Sequence, residues 1–255
     1  MNGLKQKLAS GDAVFGTMLV EIHTPNIAKM LQVCGFDYAI VDCEHGYYDY
    51  SMVANIVAVA REAGIPMIVR IPQTSRECVL KYLELGASGI LIPMVDSAQV
   101  VRKAVEYGKY APVGKRGVST LRAHTGYNVQ NLNEYMKRAN RETMVLAQIE
   151  SIEGLSQLED IVSVEGLDGV IAGPNDLSQD MGLLNDYTHP RMQEALQRIA
   201  HTAAAQGVWS GIHATDISLL HRCMNLGMQL CSWSSEVGMM MQGAKAGLQN
   251  LRNKR

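Results

Sequence analysis

Eight short runs of this chain are almost continuously apolar: Val14–Val20, Tyr38–Asp42, Pro66–Ile71, Gly89–Val95, Met144–Glu150, Gly169–Ala172, Val208–Ile212 and Gln229–Trp233. They do not alternate apolar with polar, as half-exposed strands do. Continuous runs of this length mark strands of a parallel sheet covered on both faces. Between them lie amphipathic stretches. Residues 49–63 carry Met52, Ile56, Val59 and Ala63 at helical spacing and stop at Gly64-Ile65-Pro66. Residues 97–107 open on Ser97 as a cap and carry Val100, Val101, Ala104 and Val105. Residues 156–164, 189–205 and 215–226 read the same way. Gly35, Gly86, Gly166, Gly207 and Gly227 each close a unit just before the next strand.

Strand and helix alternating eight times in 255 residues predict an α/β chain folded as a single (β/α)8 TIM barrel over residues 1–255. A doubly wound open sheet is the alternative, but no GxGxxG or GxxxxGKS follows the first strand. One interval is long, Val95 to Met144, and loops of that length are often functional.

Composition narrows the function classes. Twenty-three Lys plus Arg against 25 Asp plus Glu leave a net charge of −2, and no basic run exceeds two residues, which argues against a nucleic-acid partner. No stretch is long and apolar enough to span a membrane, and the start, MNGLKQKLASGDAVFG, lacks a secretory pattern. Five scattered cysteines without a CxxC pair read as reduced thiols in a cytoplasmic protein.

In a TIM barrel the chemistry sits at the C-terminal ends of the strands. There the apolar runs break into Asp42-Cys43-Glu44-His45, Arg70, Gln148-Ile149-Glu150 and Gly173-Pro174-Asn175-Asp176. Gln148 and Glu150 are two apart on one strand and point to the same side. Glu150 and Asp176 come from adjacent strands, and two carboxylates with open positions suit a hard divalent cation that keeps waters. A structural Glu150–Arg70 ion pair is the competing explanation. His45 could serve as a general base, the usual task of an imidazole at a strand end, and Arg70 has the planar fork that holds a carboxylate or oxyanion. His23 and His213 also fall at strand ends.

In the order and spacing of these motifs, with Gly89-Ile90-Leu91-Ile92-Pro93-Met94-Val95 and Tyr110-Ala111-Pro112-Val113-Gly114-Lys115-Arg116-Gly117, the chain resembles the HpcH/HpaI family of metal-dependent aldolases nearly end to end. The resemblance implies reversible cleavage of a 4-hydroxy-2-oxo acid to pyruvate and an aldehyde, through a metal-stabilised pyruvate enolate. It assigns the divalent metal (Mg2+, Mn2+ or Co2+) to Glu150 and Asp176, enolate stabilisation to Arg70, and proton transfer to His45 supported by Asp42. Gln148 would orient substrate or metal-bound water, and backbone N–H groups around Gly173, Pro174 and Asn175 would bind the pyruvate carboxylate. Glu21, His23, Tyr47 and Arg122 are the expected acceptor contacts. An oxaloacetate-type decarboxylase or other C–C lyase would use the same enolate, and a non-catalytic metabolite-binding barrel is the remaining alternative. The chain departs from the family after the first strand (Glu21-Ile22-His23-Thr24-Pro25), after His45 (Tyr47-Tyr48) and after the last strand, where Ser232-Trp233-Ser234-Ser235-Glu236 stands in place of a run ending in Asp. The tail, Val237 to Ala244, is apolar and small before turning basic. It reads either as a last helix on its own barrel or as a subunit contact. The resemblance implies a homohexamer with this helix exchanged between subunits.

Overall fold

A computed structural model describes residues 3–253. The elements are α1 (Gly3–Ala9), β1 (Val14–Leu19), α2 (Ile27–Val33), β2 (Tyr38–Asp42), α3 (Tyr50–Ala63), β3 (Met67–Arg70), α4 (Arg76–Glu84), β4 (Gly89–Ile92) and α5 (Ala98–Gly108). A single 3-10 turn (Ala123–Thr125) precedes α6 (Leu132–Glu142) and β5 (Met144–Ile149). Then come α7 (Ile152–Ser156), α8 (Leu158–Val162), β6 (Gly169–Ala172), α9 (Pro174–Asp180), α10 (Pro190–Ala205), β7 (Trp209–Ala214), α11 (Ile217–Asn225), β8 (Leu230–Ser235) and α12 (Glu236–Arg252). All eight strands pair in parallel with their sequence neighbours, and β8 closes on β1. The open-sheet alternative is therefore excluded.

Two apolar clusters explain the barrel. Outward-facing strand residues such as Val41, Val69, Ile92 and Val170 pack against the helices. Inward-facing ones, including Tyr38, Ile40, Ile68, Leu91, Leu146, Ile171 and Leu230, fill the interior. Glycines make room where large side chains cross the lumen: a Cβ on Gly16 would collide with the Tyr38 ring. Side chains two apart on a strand share a face. The inward parity of Ile40, Ile68 and Leu146 therefore passes to Asp42, Arg70 and Gln148, one layer nearer the C-terminal rim.

The structure corrects three local expectations. The helix expected over residues 156–164 is two short helices that begin earlier. Ser151 caps the first by accepting from the Gly154 amide at 3.0 Å, and Gln157 breaks the run at φ −97°, ψ 11°. Ser97 stands at the cap position of α5 without capping it; its hydroxyl donates to Asp96 instead, at 2.9 Å. The long interval Val95–Met144 contains α5, the 3-10 turn and α6. Its irregular part, residues 109–131, runs from the end of α5 to the start of α6, which leads into β5, and so lies at the N-terminal end of the barrel. His124 meets the carbonyl of Glu84 at the end of α4, and Arg61 at the end of α3 donates to the carbonyl of Ala123. The same end is closed by α1, where buried Lys5 and Lys109 share Asp168 at 2.5 and 3.0 Å.

Candidate active site

At the opposite end, β2 and β3 run in register with Asp42 beside Arg70. Arg70 donates from Nε and Nη2 to the two carboxylate oxygens of Asp42 at 2.9 and 2.6 Å, a bidentate fork. Its third nitrogen, Nη1, lies 3.2 Å from Glu44. Both Arg70 and Asp42 are buried. Asp42 also accepts the backbone N–H groups of Glu44 and His45 at 3.0 and 3.2 Å. Burial alone would raise the Asp42 carboxyl; the bonds and charge of Arg70, with the two amides, outweigh it and hold the group below its ordinary value. Asp42 thus serves the guanidinium and the main chain under His45, and its oxygens go to these rather than to the His45 ring. His45 itself is exposed at the rim.

Glu150 follows β5 directly and is 2 % exposed. One carboxylate oxygen accepts the Met94 amide at 2.7 Å and the other the Gln148 side-chain amide at 2.5 Å. Met94 adopts φ 48°, rare for a side chain of its kind, which turns its N–H onto Glu150. Burial pushes the Glu150 carboxyl up to about 7; the negative charges of Asp176 and Glu44 add to this, while the Met94 amide and Arg70 oppose it. No Glu150–Arg70 ion pair forms: the guanidinium is taken by Asp42 and Glu44.

Asp176 lies in the first turn of α9 and is exposed. Gly173 precedes that helix, packed so closely on Glu150 that a Cβ there would overlap the carboxylate and come within 2.9 Å of Gln148 Nε2. The Gly173 amide is already given to the Ile149 carbonyl at 3.0 Å, and Pro174 has no N–H. Asn175 turns its side-chain oxygen to the hydroxyl of Tyr187. Among the described residues no three His, Cys, Asp or Glu side chains converge as a ready-made metal cage.

Of the expected acceptor contacts, Glu21, His23 and Tyr47 are exposed at the same rim. The His23 ring meets Tyr48 edge-on at 5.2 Å. Arg122 sits in the loop at the N-terminal end, 4.0 Å from Glu84, and does not join the others within one chain.

Two groups carry more weight here than sequence reasoning assigns them. Glu44 is the second carboxylate on Arg70. His213, on β7 beside Ser232 of β8, binds that hydroxyl through Nδ1 at 2.8 Å. Its parity with Gly211 and Trp209 places it in the lumen. Burial, with repulsion from Arg70, holds the imidazole down to about 4, so it is neutral near pH 7. A histidine at a strand end was visible in the sequence; its serine partner, on another strand, was not.

The sequence model of the HpcH/HpaI aldolase/citrate lyase family matches residues 17–243. This chain belongs to that family. A hydroxypyruvate/pyruvate aldolase of Pseudomonas aeruginosa is 33% identical over 96% of this chain and 91% of its own length. A 2-keto-3-deoxy-L-rhamnonate aldolase of Salmonella gallinarum is 33% identical over 89% of this chain and 84% of its own. The solved HpcH/HpaI aldolase of Desulfitobacterium hafniense DCB-2 superposes with a TM-score of 0.93 at 36% identity, covering 98% of this chain and 96% of that one. The HpcH/HpaI member described here is a carbon–carbon lyase of the aldolase class.

Proposed function

We propose that this enzyme reversibly cleaves a 4-hydroxy-2-oxo acid to pyruvate and an aldehyde, using a divalent cation (Mg2+, Mn2+ or Co2+) held by Glu150 and Asp176. The carrying observation is the charge balance at the rim. Asp42, Glu44, Glu150 and Asp176 act electrostatically on one another, and Arg70 is the cation among them. Glu150 is buried on neutral donors, and Gln148 Oε1 is buried without a partner among the described residues. A hard cation with waters fits both deficits. When bound, it supplies Lewis-acid polarisation of the C2 carbonyl.

The chain's own groups do the rest. Asp42 fixes the guanidinium plane by occupying Nε and Nη2, so Nη1 of Arg70 meets the negative charge that develops on the C2 oxygen, displacing Glu44. His45, its backbone held by Asp42, takes the C4 hydroxyl proton as the C3–C4 bond breaks and the bonding pair moves toward C2. The free amides of the Gly173 turn are those of Asn175 and Asp176, the first of a helix and without acceptors inside it; these receive the pyruvate carboxylate. The aldehyde half faces Glu21, His23 and Tyr47. The relatives' activities on hydroxypyruvate, pyruvate and keto-deoxy acids support this reading.

Assembly and location belong to the same proposal. Within one chain α12 buries only Glu236, while Met240, Met241, Leu248 and Leu251 are exposed. Between α2 and α11 an apolar groove of about 320 Å3 lies over β1 and β8, lined by Phe15, Phe36, Ile217, Leu220, Met224 and Trp233. That is where the eighth helix of a TIM barrel packs. Exchange of α12 into the groove of a second copy would cover both, in a homohexamer. No described helix is long and apolar enough to cross a membrane, and four of the five free cysteines are buried; a reducing cytoplasm suits them.

The test is condensation of pyruvate with a panel of short aldehydes in the presence of each metal. Product formation abolished by chelation and restored by metal is expected. Full activity in excess chelator, or tight metal binding by both Glu150→Ala and Asp176→Ala, would overturn the assignment.

A further inference from the structure

One buried carboxylate at the catalytic end is used neither by the metal site nor by Arg70. Glu236 is the first residue of α12 and is 4 % exposed. Its Oε1 accepts three successive backbone N–H groups of the loop after β1: Val20 at 2.8 Å, Glu21 at 2.7 Å and Ile22 at 3.0 Å. Three amides converging on one anionic oxygen form a fixed nest. Its Oε2 is buried without a partner among the described residues. A buried oxygen left bare in this way is costly, so the carboxylate is retained for what Oε1 does.

The approach to this position is specially built. The register between β1 and β8 shifts, pairing Gly16 with Ser232 but Met18 with Ser235. Within that bulge Ser234 takes φ 55°, and its carbonyl accepts the Thr17 hydroxyl at 3.1 Å. The bulge redirects the chain so that Ser235 caps α12 and Glu236 turns inward. From the other side, Tyr48 donates its hydroxyl to the Ile22 carbonyl at 3.2 Å and presents its ring to His23. The loop bearing Glu21 and His23 is thus gripped from both sides, on its amides by Glu236 and on its carbonyl by Tyr48.

We propose that Glu236 is a positioning residue for the aldehyde half of the substrate: it fixes the Val20–Ile22 main chain and thereby the places of Glu21 and His23 at the rim. Glu236 is also the one buried residue of α12, so the seating of the C-terminal helix and the shape of the acceptor loop are mechanically joined. Pyruvate binding and activation rest on Arg70, Gln148, Glu150 and Asp176, which Glu236 does not touch.

The kinetic arm rests on the aldol reading; a second arm does not. Hydrogen exchange is followed on the peptide covering residues 19–24 in wild type, Glu236→Ala and Glu236→Gln. The alanine variant is expected to lose protection at Val20, Glu21 and Ile22, and the glutamine variant, which keeps a carbonyl acceptor, to lose only part of it. In steady state, the aldehyde KM of Glu236→Ala is expected to rise about tenfold, the loss of roughly one well-made interaction. Metal-dependent α-proton exchange of pyruvate, which needs no acceptor, should stay within about twofold. Unchanged protection in the alanine variant, or an unchanged aldehyde KM, or equal losses of condensation and proton exchange, would overturn the proposal. If Glu236→Ala does not fold, Glu236→Gln decides by the same readouts, with wild-type protection and aldehyde KM counting against it. A wild-type enzyme without aldolase activity would refute the function and leave the hydrogen-exchange arm to judge Glu236.

Discussion

Removing either partner of the Asp42–Arg70 fork breaks a buried bidentate ion pair, and the two losses should not add. Arg70 is 7 % exposed and Asp42 1 %. Two hydrogen bonds, at 2.9 and 2.6 Å, join them. Breaking a buried pair from one side costs roughly 3–5 kcal/mol when the survivor keeps its desolvation penalty without its counter-charge; Glu44 still faces Arg70 at 3.2 Å, so Asp42→Ala falls toward the low end. For a domain of this size each kcal/mol lowers Tm by about 2–4 °C. Arg70→Ala and Asp42→Ala are each expected to lower Tm by roughly 6–20 °C. The double variant should recover about 1–3 kcal/mol relative to the sum, since neither charge is then stranded. Asp42→Asn, which keeps the shape and one acceptor, should fall between. Thermal unfolding followed by circular dichroism measures all four. Activity separates the roles: Asp42→Asn should lower kcat by loosening Arg70, and adding Arg70→Ala to it should lower kcat little beyond Arg70→Ala alone. Additive Tm losses, or additive losses of kcat in the Asp42→Asn/Arg70→Ala double variant, would refute the reading of Asp42 as the holder of Arg70.

Three further outcomes follow from named contacts. Gly173→Ala should lower metal affinity and kcat/KM at least about tenfold at a cost of only about 1–3 kcal/mol in stability, because the new methyl meets the Glu150 carboxylate and reaches its Cβ at 2.8 Å; isothermal titration with Mn2+ and thermal unfolding check both. His213 ionises near 4 in the fold but near 6.5 unfolded, so the unfolded chain binds the extra proton first and stability falls as pH drops from about 6.5 toward 4, by up to about 3 kcal/mol; His213→Gln should flatten that segment of a stability–pH curve, and an identical slope in the variant would refute it. Truncation after Gly238 should convert the proposed homohexamer to smaller species by light scattering, since it removes the exposed Met240, Met241, Leu248 and Leu251.

The barrel was legible because its strands are written locally. A parallel strand buried on both faces must be apolar throughout, so the apolar runs located all eight strands; the helix between two strands must carry a stripe, and the period located five of the helical stretches, one of them with shifted bounds. The polar interruptions were legible for the same reason: Arg70, Gln148 and Glu150 stand where a lumen position would otherwise hold a branched aliphatic residue. Pairing within the site was less so. Asp42 lies three residues from His45 and 28 from Arg70, yet β2–β3 register gives its carboxylate to the distant guanidinium. The long segment after α5 looked functional by length, but its connection from a helix end to a strand start sends it, with Arg122, to the far end of the barrel.

By itself, then, the sequence determined the fold class, the strand that carries each polar group, and the excess of carboxylates at one rim, because each follows from side-chain type and local spacing. Pairing of the strands into a closed sheet decided the rest. It placed Ser232 under His213, put Gly173 against Glu150, and brought Glu236 onto the amide of Val20, 216 residues earlier in the chain. Contacts of that kind depend on which strand ends become neighbours, β5 beside β6, β7 beside β8 and the last strand beside the first, and no periodicity along the chain encodes them.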